Sequence, residues 1–262
     1  MEYPKSTLKQ SLREGRLVVG TWINNLHSPA LVMMAARCGF DFVSLDMEHG
    51  AVDFQTLAEE CMVARMAGLT PLVRSWDARS AALNGKLLDA GAGGLIVPGV
   101  DSPEMAEEVV KSMRYFHGGT RGFVNMSYGT GFAVNTRENM ELADEQTVLV
   151  IQIESKKAVE RIDAILSTPG VDVVIVGRGD LALDMGVPGE LDHPLVAAAV
   201  DRVYGAAARH HVTAGLLCPD AAKAEERIRA GARFIHYSNE QAILMKAYRE
   251  FLQKLRAVEL PD

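Results

Sequence analysis

Charged and polar side chains follow four apolar segments of the chain, each at the point where the segment ends. These side chains are Asp46, Glu48 and His49 after 42–45, Arg74 after 70–73, Glu154 after 148–153 and Asp180 after 173–176. Carboxylates, a guanidinium and an imidazole in one place can bind a cation, bind an anion and move a proton. Such short, uniformly apolar segments are typical of parallel strands that are covered on both faces.

Two of the carboxylates, Glu154 and Asp180, have the chemistry of a divalent metal site. Two carboxylates, completed by waters and substrate oxygens, suit a hard cation such as Mg²⁺ or Mn²⁺. Two structural roles remain open, because Glu154 is also suited to a helix N-terminus and Asp180 to capping the turn at 181–185. Gln152 lies two residues before Glu154 and therefore on the same side of a strand, which makes it a candidate substrate-binding residue.

Arg74 and His49 are candidates for the remaining chemistry. The guanidinium of Arg74 can donate two hydrogen bonds to a carbonyl or carboxylate, although a salt bridge to Asp46 or Asp77 is the alternative. Asp46 and His49 are close enough in sequence to form a carboxylate–imidazole dyad, in which the carboxylate orients the ring and raises its basicity. His27, His117 and His236 could also line the site, but no spacing supports them.

The segment 177–180, Gly-Arg-Gly-Asp, does not match the phosphate loop GxxxxGK[ST]. Gly177 and Gly179 still allow backbone N–H groups to approach an anion such as a carboxylate, so this segment is a candidate substrate-binding element. A cation, a guanidinium and N–H donors around one carboxylate-bearing ligand would stabilise an enolate. Proton transfer by the predicted His49 dyad would then complete an aldol or retro-aldol cycle.

Strands and helices alternate along the whole chain. The pattern predicts strands at 18–23, 42–45, 70–73, 94–97, 148–153, 173–176, 213–217 and 233–236. It predicts helices at 29–37, 54–67, 80–90, 103–115, 156–167, 195–210, 221–230 and 240–255, and a loop over the site at 116–140. Such alternation indicates an α/β fold with parallel strands, and eight units in 262 residues predict a single (β/α)8 TIM barrel over 1–262. The alternative is an open doubly wound sheet, but the GxGxxG that it prefers after the first strand is absent.

A barrel would bring the candidate residues together, because the C-terminal ends of its strands form one face.

The composition of the chain reduces the number of function classes that fit it. The net charge of −7 with no basic cluster disfavours nucleic-acid binding, and no apolar run has the length of a membrane span. Three scattered cysteines and no secretory signal at the N-terminus lead us to expect a cytoplasmic protein.

Taken together, these segments resemble the metal-dependent class II pyruvate aldolases of the 4-hydroxy-2-oxoheptanedioate aldolase and 2-keto-3-deoxy sugar-acid aldolase type. The resemblance spans about 5–250. It rests on the segments Gly20–Trp22, Asp41–Val43, Asp46–His49, Pro71–Arg74, Leu87–Ala92, Arg121–Gly122, Gln152–Glu154 and Gly177–Leu181, in this order and spacing.

The resemblance implies a pyruvate/phosphoenolpyruvate-type barrel that cleaves or forms a 4-hydroxy-2-oxo acid from pyruvate and an aldehyde. It implies a homohexamer in which the last helix is exchanged between subunits. It also implies that Glu154 and Asp180 hold Mg²⁺, Mn²⁺ or Co²⁺, and that pyruvate chelates this ion through its carboxylate and keto oxygens.

The same resemblance implies roles for further residues. Arg74 would bind the keto oxygen, and His49 would handle the proton of the aldol hydroxyl with support from Asp46 and Asp89. The residues that would line the pyruvate pocket are Gln152, Gly179 and Leu217.

The chain departs from the family pattern near the acceptor side. Arg178 stands where a proline or another small residue is usual, Ala182 stands where a serine is usual, and 123–128 lacks the usual arginine. The acceptor aldehyde is therefore not predicted. A CoA-ester lyase related to the citrate lyase β-subunit is the alternative function, since Arg178 offers a phosphate contact. A non-catalytic binding protein on the same scaffold is a third.

Overall fold

A closed barrel of eight parallel strands forms the centre of the protein, as seen in a computed structural model that describes residues 6–258. The strands are β1 (Val18–Ile23), β2 (Phe42–Asp46), β3 (Thr70–Arg74), β4 (Gly94–Val97), β5 (Val148–Ile153), β6 (Val173–Val176), β7 (Thr213–Cys218) and β8 (Phe234–Asn239). Consecutive strands pair in chain order, and β8 closes the barrel on β1. The predicted (β/α)8 barrel is confirmed. The ends of the predicted domain, 1–5 and 259–262, lie outside the described residues.

Helices follow the strands around the outside of the barrel. Within residues 6–258 they are α1 (Leu8–Arg13), α2 (Pro29–Cys38), α3 (Phe54–Met66), α4 (Ala81–Asp89), α5 (Pro103–Ser112), α6 (Arg137–Gln146), α7 (Lys156–Glu160), α8 (Ile162–Leu166), α9 (Arg178–Asp184), α10 (Pro194–Arg209), α11 (Ala221–Arg229) and α12 (Glu240–Arg256). None of them combines the length and the apolarity that crossing a membrane requires.

Three helical segments differ from the prediction. The predicted helix 156–167 is two short helices that meet at Arg161. Helix α6 begins inside the predicted loop 116–140, because Thr136 caps it by accepting a hydrogen bond from the backbone N–H of Asn139. Helix α9 begins at Arg178, so Asp180 lies in a first helical turn rather than in a loop.

The barrel interior is apolar in its lower part and polar at the C-terminal ends of the strands. In the apolar part of the interior, Phe42 and Phe234 stack with their ring centroids 4.4 Å apart. Leu8 and Leu12 of α1 belong to the same buried cluster, so this helix packs into the interior core. A second, larger apolar cluster lies between the strands and the outer helices. These two cores fix the strands and therefore the side chains that emerge at their C-terminal ends.

Candidate active site

Asp46 and Arg74 form the central ion pair at the C-terminal end of the barrel. They are direct partners in the register of β2 and β3. The Nε and Nη2 groups of Arg74 donate to the two Asp46 oxygens at 2.8 and 2.6 Å. Asn24 donates its side-chain amide to the same carboxylate at 2.6 Å, and the backbone N–H groups of Glu48 and His49 complete its shell. Asp46 is thus fully buried and satisfied.

This pairing decides the ionisation of Asp46. Burial alone would raise the pKa of Asp46, but the hydrogen bonds and the charge of Arg74 lower it overall. The alternative reading of Arg74 as a partner of Asp46 is therefore confirmed. A carboxylate held by so many donors is a fixed anion that orients the guanidinium, and it is a poor proton acceptor.

His49 does not form the predicted dyad with Asp46 in the described part of the chain. Its backbone N–H donates to Asp46, while its ring Nε2 lies 3.8 Å from Glu48 Oε2. The His49 side chain is 64% exposed, which places the imidazole on the open rim of the site. The two oxygens of Asp46 are already hydrogen-bonded by Arg74, Asn24 and the backbone N–H groups of Glu48 and His49.

Arg74 retains donors for a ligand. A guanidinium has five N–H groups. Two bind Asp46, and Nη1 lies 3.2 Å from Glu48 Oε2. Arg74 also lies over the Trp22 ring, 4.9 Å from its centroid. The guanidinium is thus rigidly placed with two N–H groups left for an oxygen ligand.

Glu154, Asp180 and Glu48 form a cluster of negative charge beside this ion pair. The pKa of Glu154 is raised to about 6, chiefly by burial and also by the charges of Asp180 and Glu48, while hydrogen bonds from Gln152 and the N–H of Gly99 oppose the rise. Carboxylates that destabilise one another's ionised form suit a bound cation. Within residues 6–258 no three His, Cys, Asp or Glu side chains are grouped to hold a metal ion, so Glu154 and Asp180 would need additional oxygen ligands.

Gly177 leaves room for this arrangement. A Cβ atom at position 177 would lie 2.5 Å from Glu154 Oε1 and 2.8 Å from Gln152 Nε2. Its φ of −78° is ordinary, so the requirement for glycine is one of space. A Cβ at Gly179 would meet no atom within 4 Å.

A cavity of about 230 Å³ opens beside Arg74. Seven of the predicted site residues line it: Arg74, Gln152, Gly177, Arg178, Gly179, Asp180 and Leu217. Four polar or aromatic residues that the sequence did not single out as site residues also line it: Trp22, Asn24, His236 and Asn239. Glu48 and Glu154 border an adjoining depression of about 390 Å³. A larger groove of about 730 Å³ lies between α5 and α6 and contains none of the predicted residues.

Asp89, the remaining predicted catalytic residue, does not line the cavity beside Arg74. It is the last residue of α4, which returns from the C-terminal end of β3 to the start of β4. Its carboxylate binds Arg121 at 2.9 Å, and its carbonyl accepts the N–H of Gly129. Since helices of such a barrel run antiparallel to the strands, Asp89 and His49 lie at opposite ends of one chain's barrel.

Known proteins share both the sequence pattern and the fold. The family described as HpcH/HpaI aldolase/citrate lyase matches residues 19–247. A hydroxypyruvate/pyruvate aldolase from Pseudomonas aeruginosa is 32% identical over 98% of this chain and 95% of its own length. A 5-keto-4-deoxy-D-glucarate aldolase from Shigella sonnei is 30% identical over 94% of both chains.

Solved structures agree with these sequence relatives. The crystal structure of an HpcH/HpaI aldolase from Desulfitobacterium hafniense has a TM-score of 0.92 and 36% identity, and covers 97% of this chain and 98% of that one. A citrate lyase β-subunit from M. tuberculosis is more distant, with a TM-score of 0.58 and 16% identity over 91% of this chain and 99% of its own. That second likeness concerns the fold alone.

Proposed function

The chain belongs to the HpcH/HpaI aldolase/citrate lyase family and is an aldolase of the carbon–carbon lyase class, and from this membership we propose how its site works. The reaction joins the enolate of a 2-oxo acid such as pyruvate to an aldehyde, or reverses that step, to give a 4-hydroxy-2-oxo acid. The observation that carries this proposal is the rigid Arg74 guanidinium beside the Glu154, Asp180 and Glu48 carboxylates.

Glu154 and Asp180 are the proposed ligands of a divalent cation, Mg²⁺, Mn²⁺ or Co²⁺. The pKa of Glu154 is raised by burial and by the charges of Asp180 and Glu48, which supports this role, since a nearby positive charge would stabilise the ionised carboxylate. A hard cation takes such oxygen ligands together with those of a bound oxo acid. When bound, it would polarise the carbonyl group and stabilise the enolate by its charge.

Arg74 is proposed to bind the keto oxygen. Its two remaining N–H groups suit an oxygen that becomes more negative as the enolate forms, which is the condition for catalysis by a preorganised donor. Asp46 and Asn24 act on the reaction through Arg74: the first fixes the guanidinium, and the second fixes Asp46. Asp46 is therefore a positioning residue in this proposal.

His49 is proposed to exchange the proton of the aldol hydroxyl. Its ring stands on the exposed rim, where an aldehyde approaches, and Glu48 is the carboxylate beside it. Asp89 of the same chain is at the other end of the barrel. Support of His49 by Asp89 would therefore have to come from another subunit.

The remaining candidates form the wall of the substrate cavity. Gln152 and Gly177 border the proposed metal ligands, and Gly179 and Leu217 line the side towards β7. Arg178 also faces this cavity, but its Nη1 lies 3.4 Å from Asp192, so part of its charge is already balanced. We propose that Arg178 contributes to binding of the anionic substrate.

Helix α12 supports the proposal that subunits exchange this element in a homohexamer. Only Glu240, its first residue, is buried. Its exposed apolar residues are Leu244, Met245, Tyr248, Phe251, Leu252 and Leu255. An uncovered apolar face of this kind is typical of a protein interface. The hexamer, like the cytoplasmic location, stays a prediction.

Exchange of the C3 protons of pyruvate with D₂O tests the proposed chemistry without an aldehyde. We expect EDTA to abolish both this exchange and aldol turnover, and Mg²⁺, Mn²⁺ or Co²⁺ to restore them. Full activity after complete chelation, checked by metal analysis, would rule the proposal out.

A further inference from the structure

A buried carboxylate, that of Glu240, lies at the junction of β8 and α12. Its two oxygens accept hydrogen bonds from three consecutive backbone N–H groups of the segment that follows β1, those of Asn24 at 2.9 Å, Asn25 at 2.8 Å and Leu26 at 3.0 Å. Burial alone would raise the pKa of Glu240, but these hydrogen bonds lower it overall, so the group is an anion at ordinary pH. Glu240 therefore holds the segment 24–26 against the start of α12.

The end of β8 is irregular in a way that turns the chain towards this segment. β8 pairs with β1 in regular register up to Tyr237 and then shifts by one residue, so that Trp22 of β1 lies opposite Asn239. The extra residue, Ser238, has a φ of 45°, a left-handed conformation that is uncommon outside glycine. Such a conformation persists only where the surrounding structure holds it. The bulge makes Asn239 the N-cap of α12 and places Glu240 directly after it.

The side chain of Asn24 carries this constraint into the cavity. The backbone of Asn24 is held at both polar groups, because its N–H binds Glu240 and its carbonyl lies 3.0 Å from Nε2 of His27. Its side-chain NH₂ donates to Asp46 at 2.6 Å, and the two Asp46 oxygens hold the Arg74 guanidinium. A continuous chain of hydrogen bonds thus leads from Glu240 to Arg74. Glu240 itself is not among the described residues that line the cavity.

We propose that Glu240 is a positioning residue of the aldol reaction, which acts through Asn24 on the orientation of Arg74. This inference rests on the proposed function, in which Arg74 binds the keto oxygen. Since that contact strengthens as the enolate forms, a less precisely held guanidinium should lower kcat more than it raises KM. A carboxylate that only stabilised the fold would leave the kcat of the folded enzyme unchanged.

A double-mutant cycle tests whether Glu240 acts through Asn24. Glu240→Ala and Asn24→Ala should each lower kcat for aldol cleavage by about 10- to 100-fold, the effect of displacing a catalytic group by up to about 1 Å. In the double variant, kcat should stay within about threefold of Asn24→Ala, because the side chain that Glu240 supports is already gone. Losses that multiply in the double variant would overturn the proposal, as would wild-type kcat in Glu240→Ala.

Asp220→Ala is the matched control, since Asp220 is also a carboxylate at the start of a helix that follows a barrel strand. It caps α11 by accepting the backbone N–H of Lys223. The kcat of this variant should stay within about threefold of wild type, and a loss equal to that of Glu240→Ala would overturn the proposal. The ¹⁵N resonance of the Arg74 Nε–H group should move in Glu240→Ala and not in Asp220→Ala. An unmoved resonance in both variants would refute the link from Glu240 to Arg74.

Glu240→Gln covers the case in which Glu240→Ala does not fold. Its amide oxygen can still accept from Asn25 and Leu26, but its NH₂ group cannot accept from Asn24. The same cycle and the same Arg74 resonance then apply. C3 proton exchange of pyruvate separates the two levels of failure. A wild-type enzyme without metal-dependent exchange would overturn the proposed function together with this inference, whereas unchanged kcat in the Glu240 variants of an exchanging enzyme would overturn this inference alone.

Discussion

Replacing Gly177 by alanine is the most local perturbation of the proposed metal site. The added Cβ would lie 2.5 Å from Glu154 Oε1, 2.7 Å from its Cγ and 2.8 Å from Gln152 Nε2. Ordinary contacts between such atoms begin near 3.5 Å, so the Glu154 carboxylate has to move by roughly 1 Å. The backbone at 177 accepts alanine without strain, since its φ is −78°. The substitution therefore acts on the position of the carboxylate.

A shift of this size has a predictable cost. Changes around a metal ligand weaken binding by about 10- to 100-fold, and a misplacement of about 1 Å lowers turnover by about 100-fold. We expect Gly177→Ala to raise the Kd for Mn²⁺, measured by titration calorimetry, and to lower kcat/KM for aldol cleavage within these ranges. Thermal melting monitored by circular dichroism will show whether the barrel stays intact.

Gly179→Ala is the matched control, two residues away on the same segment. Its Cβ meets nothing within 4 Å. The Kd for Mn²⁺ should change by less than about threefold, because a substitution without steric conflict with the protein costs within about 0.5 kcal/mol. Gly179 lines the substrate cavity, so metal affinity is the property that this control compares. Wild-type metal affinity and turnover in Gly177→Ala would refute the placement of the cation at Glu154. Equal losses in the two variants would refute the steric argument.

Three further predictions concern other parts of the molecule. Arg74→Ala should slow C3 proton exchange of pyruvate by about 10²–10³-fold. His49→Ala should impair cleavage of the carbon–carbon bond while C3 exchange persists. Equal losses of both activities in His49→Ala would contradict the separate roles proposed for Arg74 and His49. Burial alone would lower the pKa of His27, but its hydrogen bond to Glu60 and the charge of that residue raise the pKa above 6.5 overall. The resulting stability is present below pH 6.5 and is lost as pH rises through the folded pKa. The melting temperature should therefore fall more steeply as pH rises above 6.5 in wild type than in His27→Gln, and parallel profiles of the two proteins would refute this role of His27. Phe251→Glu on α12 should lower the molar mass measured by light scattering, and an unchanged mass would place the subunit interface elsewhere.

The strands of the barrel could be predicted because each is a short apolar segment between clear helix signals. Ser28 and Pro29 begin α2 and Gly39 ends it at a φ of 88°, as their residue types indicate. Helix α6 was missed because only Ala143 of its ten residues is buried, so it has no apolar stripe to detect. The residue type of Thr136, which caps the N-terminus of α6, was the sequence signal that could have indicated where this helix begins.

Strand ends predicted that Arg74 and Asp180 lie at the cavity, and both line it. The Asp46–Arg74 pair was harder to predict, because it depends on the register of β2 against β3, which sequence does not encode locally. His236 and Trp22 were not assigned for a related reason. Both lie on strands buried on two faces, so apolar patterning does not reveal which residues point into the barrel.

The charges at the cavity explain why cation and substrate binding should depend on each other. Arg74 is largely neutralised by Asp46, while Glu48, Glu154 and Asp180 add negative charge in a partly buried place. A 2-oxo acid is itself an anion, and these carboxylates would repel it. Burial is the main cause of the raised pKa of Glu154, and repulsion from Asp180 and Glu48 adds to it. A divalent cation would reverse this repulsion for the substrate as well. Because such coupling is reciprocal, the oxo acid must in turn tighten binding of the cation by the same factor.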